Sequence, residues 1–472
     1  MKDTQDTTGY CQLSMGLLYE NNPADEDNEE VYPISNKEIS QTKKTNKFVV
    51  HKPLLEIILE DVNIEKAITG VVSNKGSGGV DEMQVAEVRT YFHQNWSYLK
   101  KLLMEGHYSP SAVKRVEIPK DNGTKRKLGI PTVTDRVVQQ AIVQVLTPIF
   151  DPQFSNNSYG FRPRRNAHQA VKRVVEYVNE GYQYTIDLDL EKYFDTVNQQ
   201  RLIQILSNTI KDGRVVSLIH KYLKAGVVVK HKYEETTKGV PQGGPLSLLL
   251  SNIYLNEFDK EMEKRGNHFV RYADDCVILF KSERSASRVK ETVVNYLENK
   301  LKLKVNQEKT KVAYITRITF LGFGFYKDRS GNVQITASKK SKEKMKKRIK
   351  EITSRNRPIS STQLAQELKL YITGWVNYYK IADMKYFLKR VDEWMRRRIR
   401  MIYWKRWKLV RTKYRNLIKL GIDKYKAWEW ANTRKSYWHT ANSFILSRTL
   451  TNERLKQFGF INALDYYNFI NL

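Results

Sequence analysis

Cysteine is almost missing from this 472-residue chain, which contains only Cys11 and Cys276. Two thiols cannot build a disulfide framework or a cysteine-rich zinc site, so a reducing, cytoplasmic setting is expected. Long apolar runs are missing as well. No stretch approaches the roughly 18 residues of a spanning helix, and mean hydropathy is -0.58, so no membrane partner is expected. The N-terminus has no basic segment leading into an apolar core, which excludes a secretory signal. Asp25-Glu26-Asp27 and Glu29-Glu30 speak against an organelle transit peptide, and residues 1–50 read as a mobile, locally acidic leader. Beyond it, negative charge is the scarce commodity. The chain has 51 Asp and Glu against 81 Lys and Arg, a formal charge of +30. Such an excess points to a polyanionic partner, and 28 Tyr with 8 Trp among the cations favour nucleic acid.

The length suffices for two to four domains. From Leu54 the apolar spacing is helical through Val71, and a Gly-rich stretch at residues 74–79 ends it. That stretch lacks the Gly-Lys-Ser/Thr ending of a P-loop and has no strand before it, so it reads as a loop. A second helical stretch runs from Val85 through Leu103. Residues 113–120 alternate as a strand, turn at Asp121-Asn122-Gly123 and return through Lys125-Arg126-Lys127-Leu128-Gly129-Ile130. A hairpin so rich in cations is either a phosphate grip or a charged edge. A helix begins at Asp135 and ends near Pro148. The loop 154–165 interleaves aromatics with Arg162, Arg164 and Arg165, a mixture suited to stacking on bases and pairing with phosphates. After Phe325 strand patterns give way to helix. Trp394, Arg396, Arg397, Arg398, Trp404, Arg406 and Trp407 then form a basic, aromatic region.

Two stretches carry paired carboxylates. Strand alternation in Tyr184-Thr185-Ile186-Asp187-Leu188-Asp189-Leu190 puts Asp187 and Asp189 on one face. In residues 268–280, Asp274 and Asp275 interrupt an apolar, β-branched run expected to form a hairpin. Hairpin turns normally recruit Gly, Asn or Pro, and Tyr-Ala-Asp-Asp supplies none. Adjacent carboxylates in such a place read as a metal site, with a solvated turn as the alternative. The all-oxygen donor set favours Mg²⁺ over zinc.

Taken in order, several motifs resemble those of group II intron-encoded reverse transcriptases, which also act as maturases. The resemblance spans about residues 54–460. It is carried by residues 115–120, 128–133 with Asp135-Arg136, Ser158-Tyr159-Gly160-Phe161-Arg162-Pro163, Asp189-Leu190-Glu191-Lys192-Tyr193-Phe194-Asp195, and Pro241-Gln242-Gly243-Gly244-Pro245-Leu246-Ser247. Tyr272-Ala273-Asp274-Asp275, Asn306-Gln307-Glu308-Lys309-Thr310-Lys311, Phe320-Leu321-Gly322 and the maturase-like Gly374-Trp375-Val376-Asn377-Tyr378-Tyr379 complete it.

The resemblance implies an α+β, right-hand polymerase fold. Fingers and palm would occupy residues 51–325, a helical thumb or maturase domain 326–410 and a DNA-binding segment 411–472. It implies an RNA-directed DNA polymerase that copies intron RNA with a DNA primer and dNTPs and assists splicing. Asp189, Asp274 and Asp275, with Leu190, would hold two Mg²⁺, Asp187 being the alternative to Asp189 if the strand register differs. One ion would activate the primer 3′-hydroxyl and the other neutralise the leaving pyrophosphate, about 4 Å apart. Lys120, Arg126, Gln242 and Lys309 would contact the nucleotide, and Phe194, or else Tyr193, would exclude a ribose 2′-hydroxyl. Arg162, Arg164, Arg165, Trp375, Tyr378, Arg396, Arg397, Arg398 and Arg406 would meet nucleic acid. Where the family commonly has Pro, this chain has Leu248, so Ser247 is expected to cap a helix without a proline at its first position. No His/Cys-rich module follows Trp438, as in bacterial members lacking the endonuclease, whose primer comes from other machinery.

Overall fold

A computed structural model describes residues 52–119, 123, 125–230 and 232–472. The acidic leader and Lys120 lie outside the described residues. The chain divides at Ala313/Tyr314 into two compact units.

Helices and strands mix in the first unit, as an α+β fold requires. The Leu54 pattern breaks into two helices, Leu54–Ile58 and Asp61–Ser73. The latter packs on the Val133–Phe150 helix. Thr132 caps that helix, its hydroxyl accepting from the Asp135 amide, while Pro148 sits inside the last turn rather than ending it. Asp135 is buried and accepts from Tyr108 Oη at 2.8 Å and the Ser111 amide at 3.1 Å. The basic hairpin forms as expected: β1 (Val113–Pro119) pairs antiparallel with β2 (Lys125–Ile130), Arg115 facing Gly129 and Ile118 facing Arg126. β4 (Val227–Val229) adds to the other edge of β1 in parallel, and β5 (Lys232–Glu234) completes that sheet.

A second sheet has the order β6-β7-β3-β8. β3 is Tyr184–Leu188, β6 His268–Tyr272, β7 Asp275–Phe280 and β8 Lys311–Tyr314. Both central strands are lined with fully buried residues, among them Ile186, Val277 and Ile278. The long Pro245–Lys264 helix buries Leu249, Leu250, Ile253, Tyr254 and Phe258 in the same core. Its start differs from the sequence expectation. Pro245 itself occupies the first helical position, where its missing N–H costs nothing. Gly244 is the cap, Leu248 lies within the first turns, and the Ser247 hydroxyl donates to the Pro241 carbonyl.

The second unit is mostly helical, yet strand structure continues past Phe325. β9 (Thr319–Phe320), β10 (Phe323–Lys327) and β11 (Val333–Ala337) form an antiparallel sheet. The alternation Val333-Gln334-Ile335-Thr336-Ala337 explains β11, and Asp328 holds its turn by accepting from the Ser330 and Asn332 amides. The helices Lys339–Ile352, Ser361–Tyr379 and Lys385–Arg406 follow, then shorter helices to Phe469. No described helix is long and apolar enough to cross a membrane.

Candidate active site

The paired acids sit at one end of the β6–β7 hairpin. Tyr272 pairs with Asp275, leaving Ala273 and Asp274 as a two-residue turn. Ala273 takes φ +57°, a conformation usually reserved for glycine, so something must hold it. Arg271 does: Nη1 donates to the Ala273 carbonyl at 2.9 Å and to Asn252 Oδ1 at 3.0 Å, and Nε donates to Asp259 Oδ1 at 2.7 Å. Arg271 and Asp259 are 1% and 0% exposed, so this bidentate pair is a buried brace with its charges mutually satisfied. Asn252 in turn donates to the Gly160 carbonyl at 2.8 Å. Gly160 presses on the turn from beneath, since a Cβ there would stand 2.4 Å from the Ala273 nitrogen. Backbone bonds between Tyr159 and Arg271 and between Arg271 and Asn157 stitch this loop to β6.

Asp189 arrives from the neighbouring strand. β3 and β7 run antiparallel with Leu188 facing Cys276, so one step further along Asp189 comes level with Asp275. Asp187, two residues back, shares that face. The charges feel one another. Burial, then Asp274, Asp187 and Asp189, push the Asp275 carboxyl up to about 7, although the residue as a whole is exposed. Asp187 is raised to about 6 by burial and then by Asp189. Asp274 is also raised, chiefly by burial, with Arg126 opposing and Asp189 adding to the shift.

The Asp189 backbone is fixed by residues 306–310. Its carbonyl accepts from the Asn306 amide at 2.9 Å, and its amide donates to buried Thr310 Oγ1 at 3.3 Å. The bridge between Leu190 and Val305 uses the Asp189 carbonyl and the Glu191 amide, leaving the Leu190 carbonyl out of its hydrogen bonds. Lys309 Nζ sits 3.2 Å from Asp189 Oδ2. Thus a cation already balances one carboxylate. Among the described residues no three His, Cys, Asp or Glu side chains close around a single metal position. The acids are neighbours by register, and burial together with the adjacent carboxylates raises Asp187, Asp274 and Asp275, an environment that divalent cations relieve. Four carboxylates without His or Cys donors fit a hard cation.

The β2-β1-β4-β5 sheet reaches this site through Arg126, whose Nε lies 3.4 Å from Gln242 Oε1. The loop bearing Gln242 is seated by close backbone contact. The Gly129 amide donates to the Gln242 carbonyl at 2.7 Å, and Gly243, at φ +116°, would drive a Cβ to 2.1 Å from the Gly129 oxygen. Tyr193 and Phe194 are both buried. The Tyr193 hydroxyl donates to the Ser251 carbonyl at 3.1 Å, while the Phe194 carbonyl accepts from the Val240 amide at 2.7 Å.

Several residues expected at nucleic acid have other work. Arg162 is 4% exposed and pairs with Asp151 at 2.7 Å while donating to the Ser155 and Ser158 carbonyls. It is a buried loop brace, because five donors in a loop satisfy carbonyls that no ladder reaches. Arg165 similarly donates to the Asn156 carbonyl at 2.6 Å and lies over the Tyr159 ring, whereas Arg164 remains exposed. Trp375 is 7% exposed and packs on Tyr379, so it belongs to the core. Tyr378 stacks on Phe323 and donates to the Leu321 carbonyl at 3.0 Å. Tyr378 and Tyr379 thus tie the end of the Ser361–Tyr379 helix to β10 through Phe323, while Gly374 and Asn377 stay exposed.

The arginine run is likewise partly structural. Arg398 donates to the Lys350 and Thr353 carbonyls, 3.0 and 3.1 Å, closing a helix C-terminus. Arg397 covers the Trp438 ring at 3.9 Å, and Arg406 donates to Ser361 Oγ and the Ile359 carbonyl. Arg396 stays half-buried on the same helix.

Sequence reading missed Arg271, Asp259, Asn252 and Thr310. One signal was visible: Arg271 interrupts an otherwise apolar strand, where a cation demands a buried partner.

The reverse transcriptase (RNA-dependent DNA polymerase) family matches residues 118–325, and the group II intron, maturase-specific domain matches residues 342–421. Protein YkfC of Escherichia coli (strain K12) is 32% identical over 318 residues, covering 59% of this chain and 84% of that protein. Group II intron-encoded protein LtrA of Lactococcus lactis subsp. cremoris is 32% identical over 298 residues, 49% of this chain and 50% of its own length. The putative COX1/OXI3 intron 2 protein of Saccharomyces cerevisiae is 29% identical over 294 residues, 48% of this chain and 34% of that one. This chain thus spans most of YkfC but half or less of the two intron proteins. With both domains matched in order, the chain belongs to the group II intron-encoded reverse transcriptases and maturases.

Proposed function

We propose that this protein is an RNA-directed DNA polymerase that copies intron RNA from a DNA primer and assists the splicing of that RNA. The observation that carries this reading is the register that brings Asp189 level with Asp275 beside a braced Asp274 turn. Two Mg²⁺ held by Asp189, Asp274, Asp275 and the Leu190 carbonyl would supply the Lewis acidity that activates a primer 3′-hydroxyl and offsets charge on departing pyrophosphate. The chain's own groups do the remaining work. Arg126, with Lys120, draws in the triphosphate, Gln242 contacts the incoming nucleotide, and Phe194 limits room at its 2′ position. Lys309 would release Asp189 to the cations and turn its ammonium toward phosphate.

Residues 326–410 would serve as thumb and maturase surface and 411–472 as a DNA-binding segment, with exposed Arg164 and half-buried Arg396 meeting backbone phosphates. Polymerase activity is tested by extension of a DNA primer on an RNA template with Mg²⁺. Extension that stops on chelation and returns with Mg²⁺ is expected. A wild-type protein that binds RNA tightly but never extends the primer would leave a splicing factor without polymerase activity.

A further inference from the structure

The end of the β6–β7 hairpin remote from the acids opens on a cavity of about 510 Å³. Its lining includes Tyr182, Arg265, His268, Lys281, Ser285 and Arg288, and none of the described lining residues is acidic. His268 begins β6 and Phe280 ends β7. At about 3.3 Å per residue, this mouth lies roughly 16 Å along the strands from Asp275. A phosphate bound here is therefore not the one undergoing reaction.

The groups around the cavity are arranged for an anion. Ser282 caps the 13-residue Glu283–Asn295 helix, accepting from the Ser285 amide at 3.3 Å, and both serines line the cavity, while Glu283, the acid of that first turn, does not. Tyr182 stacks on His268 with ring centroids 4.1 Å apart, and Lys281 Nζ stands 5.1 Å from the Tyr182 centroid. These contacts hold a cation at the rim without neutralising it. Arg265 is partly committed to Glu261 at 2.6 Å, which leaves Lys281 and Arg288 as the principal free charges of the lining. Burial pushes the His268 imidazole below its usual range, with Arg173 and Lys281 adding and Glu180 opposing. Of the apolar lining residues, Leu279 and Phe280 are buried and Val289 is half-buried, so the rim offers little hydrophobic surface for insertion into lipid.

We infer that this cavity binds the phosphodiester backbone of an RNA strand outside the primer–template, through Lys281, Arg288 and the hydroxyl-lined N-terminus of the Glu283–Asn295 helix. The choice of RNA rests on the proposed function. The site itself does not. A strand anchored there lies along the edge of the sheet while the acid end remains open to a separate duplex.

The test uses the full chain and a labelled single-stranded 20-nucleotide RNA, with the catalytic site occupied by unlabelled primer–template. Binding is followed by fluorescence anisotropy from low to moderate salt. Lys281→Gln with Arg288→Gln should weaken binding at least tenfold and make the slope of log affinity against log salt shallower by about 1.4, as for two lost contacts to a single strand. The charge-keeping pair Lys281→Arg with Arg288→Lys should restore most of the affinity, and extension of a short primer–template should be unchanged in both variants. Unaltered affinity and slope in the Gln pair would overturn the inference. So would equal weakening in the charge-keeping pair, or displacement of RNA by polyglutamate rather than by a second RNA. If wild-type protein fails to extend primers while the Gln pair shows the binding loss, the site stands and the polymerase reading falls.

Discussion

One hairpin carries opposite chemistry at its two ends. At the turn, Asp274 and Asp275 meet Asp187 and Asp189, and burial, with the neighbouring carboxylates adding, pushes Asp187, Asp274 and Asp275 toward protonation. At the open end, Arg265, Lys281 and Arg288 line a cavity free of acids among the described residues. The acid end is built rigidly, with a strained alanine, a buried ion pair and a glycine beneath it. The basic end is built from side chains at a rim. Chemistry that must place atoms needs the first construction, whereas holding a polyanion tolerates the second.

Short of removing an acid itself, the comparison can be broken most severely at Arg271. Arg271→Lys keeps the charge but cannot satisfy Asp259, Asn252 and the Ala273 carbonyl together. Primer-extension kcat should fall 10- to 100-fold while RNA affinity holds, with stability reduced by about 3 kcal/mol as a buried pair is weakened. Unchanged kcat at reduced melting temperature would show the brace to be structural only. Gly160→Ala attacks the same turn from below. The backbone shift it forces should cost about 1–3 kcal/mol and lower extension several-fold, read by denaturant melts beside kinetics. In Phe194→Ala the dNTP-over-rNTP preference should drop at least tenfold; a preference that stays put excludes Phe194 as the 2′ discriminator and leaves Tyr193. The smallest effect is expected from Ala273→Gly. Relief of the positive φ should stabilise by about 1 kcal/mol or less, visible as a slightly higher melting temperature, and a lower one would mean that the Ala273 methyl contributes packing.

Much of the acid end was legible because its signals are local. Alternation put Asp187 and Asp189 on one face, and an acid pair in an apolar hairpin stood out without any partner in view. What holds the pair in place was not legible. Asp259 and Asn252 lie on a helix more than a dozen residues before the turn, and Gly160 lies over a hundred residues away, so no periodicity connects them to Ala273. Composition misled in the second unit. Arginines and tryptophans that read as a nucleic-acid surface are partly spent on carbonyls and rings, as Arg398 and Trp375 illustrate, because a highly basic bundle still has helix ends to cap and a core to fill. The β11 strand was not legible although its alternation is plain, since a lysine-rich helical stretch follows it directly.

The central claim is that Asp274, held by the braced turn, carries polymerisation separately from RNA binding. It is tested by comparing wild type with Asp274→Ala in Mg²⁺-dependent primer extension on an RNA template, with RNA affinity measured on the same preparations. Loss of extension by at least a thousandfold with affinity unchanged is the predicted result; extension within tenfold of wild type would contradict the account.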